Sequence, residues 1–234
     1  DITSTNPIAV RDWVTINKDD GEESIVITKI HDRTNYITRQ SPHNKNMHHI
    51  VAANLDQSIL LATLKDPKTS TGFMDRFLAA SEAYHVPAII VFNKSDLYQT
   101  KEKEKFAKVK SMYEKIGYPV YSMSINKAEG INEVKELLKN KTTLLSGHSG
   151  VGKSSFINTI FPENTLKTQE VSGWSGKGLH TTTFAEMFDL PFGGKIIDTP
   201  GMREFAMMDI EPHELSHYFP EMKALINECR FNNC

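Results

Sequence analysis

The chain opens with short runs in which apolar, β-branched residues dominate. "DWVTI", "ESIVITKI" and "NYITRQ" are separated by "NKDDGE" and "HDRT", which carry the Asp-Gly, Asn and charged residues of turns. The pattern predicts an all-β segment over residues 1–52, part of a small barrel. "SPHNKNMHHI" then reads as a polar loop. Its His43, His48 and His49 have no Cys or carboxylate at ligand spacing, so a solvated or RNA-facing loop is expected there rather than a metal site. From Ala52 the texture changes. "SILLATL" and "PAIIVFNKSDL" are continuous apolar runs, as in strands buried on both faces of a parallel sheet. Phe73, Phe77, Ala80 and Tyr84 recur at helical spacing, as do Phe106, Val109, Tyr113 and Ile116, the latter set with lysines opposite that form a solvated face. Strand "YPVYSMS", helix "INEVKELLKN", strand "TTLLSG", a helix from Lys153, and strands "FAEMFDL" and "GKIIDTPG" joined by "PFGG" complete an alternating α/β domain over 53–208. Residues 209–234 read as helical and begin a separate small unit.

Composition narrows the classes without choosing among them. With 234 residues, 39% hydrophobic and 24% charged, the chain has the make-up of an ordinary globular protein. A net charge of -2 supplies no whole-chain field for nucleic acid, so any RNA contact must come from local patches. No apolar run approaches the ~20 residues of a membrane span, and no signal peptide is visible. Two cysteines fit a reducing compartment, and a cytoplasmic, membrane-free monomer is expected. The chain starts without Met and stops at Cys234, which reads as a piece of a longer protein.

Three motifs carry chemistry. Gly147-His-Ser-Gly-Val-Gly-Lys153-Ser154 matches the phosphate-binding pattern G-x-x-x-x-G-K-[ST] between a predicted strand and helix. Gly147, Gly150 and Gly152 let the backbone turn tightly, so that its N–H groups meet phosphate oxygens. Lys153 offsets phosphate charge and Ser154 offers a hydroxyl to Mg²⁺. Ser149, Val151 and Ser155 complete the loop, with His148 at a permissive position and not a base. Asn93-Lys94-Ser95-Asp96 selects the base. The Asp96 carboxylate accepts from the N1–H and 2-amino groups of guanine, a donor pair that adenine lacks. Ser124, in a loop after a strand, is expected to buttress the base through its backbone, or else only to cap a helix. Asp198-Thr-Pro-Gly201 places an Asp at a strand end to hold Mg²⁺ through water, with the Gly201 N–H facing the γ-phosphate. Between lies "SGWSGKGLHTTTF", whose glycines predict a nucleotide-sensing switch. One of Thr181, Thr182 and Thr183 is expected to complete the Mg²⁺ shell, with Thr182 assigned.

The order is base reader, buttress, phosphate loop, switch, DTPG. Ordinary GTP-binding domains place the phosphate loop first, so this is a circularly permuted arrangement. It keeps the site intact because domain termini often lie close together. "AVRDWV", "AANLDQ", "DRFL", "FNKSDL", "GHSGVGKSS", "GKGLHTTT" and "DTPGMREF" resemble, in order, the RsgA/YjeQ family of bacterial GTPases that depend on the small ribosomal subunit. The resemblance spans nearly the whole chain. It implies a partial N-terminal OB-fold, a permuted GTPase domain and a C-terminal zinc unit. Cys229 and Cys234 match the first two positions of the family's zinc pattern and form half a Zn²⁺ site. It further implies GTP and GDP as ligands, the small subunit and its rRNA as partners, and subunit-stimulated hydrolysis that releases the factor late in maturation.

Many GTPases carry a water-orienting Gln after DxxG. Here Met202 occupies that position, and a thioether orients water poorly, so slow unaided hydrolysis is expected. His180 is the candidate replacement, by its chemistry and by the resemblance. A structural or RNA-contacting role for it stays open. Rival readings are a phosphate-loop kinase or ATPase, a GTP-dependent RNA-docking module with incidental hydrolysis, and another permuted ribosome-assembly GTPase.

Overall fold

The computed structural model describes residues 7–17, 25–40, 48–162, 185–198 and 213–228. The N-terminal part forms two antiparallel pairs: β1 (Val14–Asn17) with β2 (Val26–Ile30), and β3 (Tyr36–Gln40) with β4 (His48–Ala53). β4 corrects the expectation of a loop continuing through "MHHI". Its opening histidines conceal the strand, but Ile50, Val51, Ala52 and Ala53 are buried, and the strand is held by β3 on one side and by Val10, whose carbonyl accepts the Ala53 N–H, on the other.

A six-stranded sheet follows, in the order β7-β6-β5-β8-β10-β9. β5 (Gln57–Ala62), β6 (Ala88–Phe92), β7 (Val120–Ser122), β8 (Thr142–Ser146) and β10 (Lys195–Asp198) are mutually parallel. β9 (Glu186–Asp189) pairs antiparallel with β10 across the predicted "PFGG" turn. All residues of β5, β6 and β8 are buried, which accounts for their continuous apolar runs.

Strand alternation divides the core. Leu60, Ala62, Ile90 and Phe92 face one side with Phe77 of α1 (Thr71–Ala83) and with Val109 and Tyr113 of α2 (Thr100–Ile116). Ile59, Leu61, Val91 and Leu145 face the other. There they meet Val134 and Leu138 of α3 (Ile131–Leu138), and Phe156 and Ile157 of α4 (Lys153–Ile160). Local caps fix where helices begin. The Ser70 side chain accepts from the Phe73 N–H at the start of α1, and Gln99 with Glu102 forms a capping box on α2. The tail is helical in short pieces, with α5 (Pro220–Lys223) between single 3-10 turns. Among the described residues no helix is long and apolar enough to cross a membrane.

Candidate nucleotide site

Parallel strands direct their carboxyl ends to one edge, and the chemistry collects there. β5 leads away through α1 to β6 and β7, while β8 leads the other way to β9 and β10. The sheet therefore switches direction between β5 and β8, where open α/β sheets form a binding crevice.

The loop after β8 is the predicted phosphate loop, and α4 begins directly from it at Lys153. Two glycines are obligatory. A Cβ on Gly147, at φ +148°, would lie 2.4 Å from the Leu61 carbonyl oxygen, and one on Gly152, at φ +101°, would lie 2.4 Å from Asn93 Nδ2. The Lys153 ammonium folds back to donate to the Gly147 carbonyl. Burial pulls its pKa below the ordinary lysine value, opposed in part by the Asp198 carboxylate. Asp198 ends β10, in register with Leu145 of β8, and is 5% exposed. Ser154 lies in the first turn of α4.

The base-reading motif leaves β6 beside this loop. Asn93 Nδ2 donates to the Val151 carbonyl at 2.9 Å and so ties the two motifs together. Asn93 is 2% exposed, and its Oδ1 has no hydrogen-bond partner among the described residues. A buried acceptor left open is costly, and a ligand donor is one way to satisfy it. Ser95 and Asp96 lie in a 3-10 turn over Ser95–Leu97, and Lys94 donates to the Asp66 carbonyl.

Ser124 is fully buried after β7. Its side chain adds a contact that the sequence did not announce: Oγ donates to Asp96 Oδ1 at 2.5 Å while accepting from the Lys127 N–H at 3.1 Å. That hydrogen bond holds the Asp96 carboxyl below the ordinary carboxylate range, outweighing partial desolvation, with help from Asn126 and Lys127.

His148, read in the sequence as permissive, is engaged. Its Nε2 lies 2.7 Å from Thr69 Oγ1, and Phe73 meets its ring edge to face at 5.6 Å. Thr69 and Asp66 belong to the loop 63–70, which sequence reasoning missed. The available signal was a polar, Pro-bearing stretch, "LKDPKTS", directly after a buried strand at the carboxyl edge. His180, Thr182, Gly201, Met202, Cys229 and Cys234 lie outside the described residues, as does His43. Among the described residues no group of three or more His, Cys, Asp or Glu is placed to hold a metal ion.

The chain is similar to characterised proteins along its full length. The RsgA GTPase family matches residues 30–208. A protein of Cytophaga hutchinsonii named small ribosomal subunit biogenesis GTPase RsgA is 52% identical over 235 aligned positions, covering 100% of this chain and 76% of the relative. One of the same name from Flavobacterium psychrophilum is 48% identical, covering 100% and 72%. The crystal structure of YjeQ from Thermotoga maritima superposes with a TM-score of 0.75 at 37% identity, covering 97% of this chain and 72% of that one. YloQ, described as a circularly permuted GTPase, gives 0.67 at 28%, covering 95% and 67%. A permuted domain with base reader ahead of phosphate loop on one parallel sheet is thus shared by sequence and by fold, and the chain belongs to the RsgA GTPase family.

Proposed function

We propose that the chain binds GTP at the carboxyl edge of its sheet, hydrolyses it to GDP and phosphate, and serves biogenesis of the small ribosomal subunit. The observation that carries this reading is the link between the two motifs. Asn93 joins the base reader to the phosphate loop, and Ser124 holds the Asp96 carboxylate in place, so one nucleotide can engage both at once. In this reading Asp96 accepts from guanine, the stem of Lys94 lies along the base, and Asn93, Ser95 and Ser124 shape the pocket. Gly147 to Ser155 surround the phosphates with backbone N–H groups, and Lys153 offsets their charge.

Ser154 and Asp198 supply hydroxyl and carboxylate oxygens, the hard donors that Mg²⁺ takes, and Thr182 is assigned as a third. Bound there, Mg²⁺ would neutralise charge on the phosphate oxygens. The Gly201 N–H reads the γ-phosphate. His180 orients the attacking water, because Met202 cannot. The relatives' names support a role with the small subunit, and rRNA is the expected contact.

Outside the sheet domain, the two antiparallel pairs support reading residues 1–52 as a partial OB-fold. Residues 209–234 are read as the start of a zinc unit, with Cys229 and Cys234 as half its ligands. The chain is read as a cytoplasmic monomer.

Nucleotide selectivity tests the reading. A fluorescent GDP should be displaced by GTP and not by ATP. Asp96→Ala should weaken binding roughly 100-fold or more, since two hydrogen bonds to a charged acceptor are lost. Equal displacement by ATP would overturn it.

A further inference from the structure

The loop 63–70 is closed on itself at its neck. Thr69 N donates to the Thr63 carbonyl at 2.8 Å, and Thr63 N donates to Thr69 Oγ1 at 2.9 Å. The Thr63 hydroxyl donates to the Pro67 carbonyl inside the loop. Thr69 is only 3% exposed, so its hydroxyl must be satisfied within the protein. Its oxygen accepts the Thr63 N–H and lies 2.7 Å from His148 Nε2; the Ser149 carbonyl at Nδ1 can only accept, so in the neutral ring Nε2 takes the Thr69 proton. A ring that accepts at Nε2 carries its proton on Nδ1. His148 Nδ1 lies 3.2 Å from the Ser149 carbonyl oxygen, and so donates to it.

This chain of hydrogen bonds ends on the peptide between Ser149 and Gly150. A trans peptide points its C=O and N–H in opposite directions. Holding the Ser149 carbonyl on the His148 side therefore turns the Gly150 N–H to the opposite side. The same outer loop lies beside Gly150: a Cβ there would come within 3.3 Å of Pro67 Cδ. It also accepts the Lys94 ammonium at the Asp66 carbonyl, so phosphate loop and base reader rest on one brace.

We infer that Thr69 is a positioning residue for nucleotide binding, which acts through His148 to aim the Gly150 N–H at phosphate. The inference rests on the GTP-binding reading above and assigns a task to two side chains outside the motif's glycines, Lys and Ser. The Thr69 hydroxyl is buried and engaged by Thr63 and His148. Its effect is felt only by way of the imidazole, and that dependence separates it from a buried hydroxyl that merely stabilises the fold.

The test is the dissociation rate of N-methylanthraniloyl-GDP from the full chain, read with the melting temperature. Thr69→Val and His148→Ala should each speed release about tenfold, the scale of one lost hydrogen-bonded path. Thr69→Ser, which keeps the hydroxyl, should stay within about twofold of wild type. The double variant should release no faster than about tenfold, since both changes break the same path. Thr69→Val or His148→Ala releasing at the wild-type rate would overturn the inference, even with a lowered melting temperature. A double variant near the product of the two, about a hundredfold, would also overturn it. The half-buried His148 keeps the test decisive should Thr69→Val fail to fold. A wild-type chain that holds no GDP would overturn the GTP reading and this inference together, whereas an unchanged Thr69→Val in a chain that binds GDP overturns the inference alone.

Discussion

Asp96 and Ser124 are separated by 28 positions and meet at 2.5 Å, because β6 and β7 are adjacent parallel strands that deliver their exit loops to one place. The hydrogen bond fixes the carboxylate and lowers its pKa. Because the carboxyl is depressed, affinity that depends on its charge is present above the lowered value and lost as pH falls through it. Ser124→Ala removes the largest cause of that depression. GDP titrations carried below pH 4 should therefore show the variant losing affinity at higher pH than wild type, the two profiles meeting near pH 7 where both carboxyls are ionised. Superimposable profiles would contradict this. The motif residues themselves were legible because their types and spacing are dictated by phosphate and guanine. The Ser124 side chain and Thr69 were not, because contacts across 28 and 79 positions depend on which strands become neighbours.

At the scale of elements, the buried strands declared themselves by unbroken apolar runs and the helices by three- and four-residue spacing. β4 did not, since polar histidines open it and its pairing with β3 supplies what its sequence lacks. The N-terminal segment also depends on a pair invisible in sequence. Arg33 grips Asp12 through Nε to Oδ1 and Nη2 to Oδ2, both at 2.7 Å, and the Ala9 N–H donates to Oδ2 at 2.8 Å. Burial pushes the Asp12 carboxyl up, but these partners outweigh it and leave the group below its ordinary value. The Asp12 side chain is 1% exposed, so Arg33→Met strands a buried carboxylate and should cost about 3 kcal/mol in urea unfolding at pH 7. A depressed carboxyl stabilises above its unfolded pKa of about 3.9, so the difference between wild type and variant should shrink as pH falls below about 4. A difference that is absent at pH 7, or that grows in acid, would contradict the pair's role.

The permuted order matters for the whole molecule, because the chain leaving DTPG continues directly into the tail. A pocket of about 290 Å³ lies where that tail meets α1 and α2, lined by Asp75, Tyr113, Tyr118, Tyr218, Phe219 and Glu221 among others. Because the tail is tied to DTPG, tryptic cleavage at Lys223 should proceed at different rates with GDP and with a non-hydrolysable GTP analogue. Equal rates would separate the tail from the nucleotide state. The fold that unites these scales is a sheet whose switch point brings four loops to one edge, and the central claim is that this edge turns over GTP for the small subunit. The most direct measurement is GTP hydrolysis by the chain with and without purified small ribosomal subunits, beside His180→Ala and an ATP control. The account predicts slow hydrolysis alone, strong stimulation by the subunit, loss of stimulation in His180→Ala, and no turnover of ATP. Hydrolysis that the subunit leaves unchanged, or that proceeds equally with ATP, would contradict it.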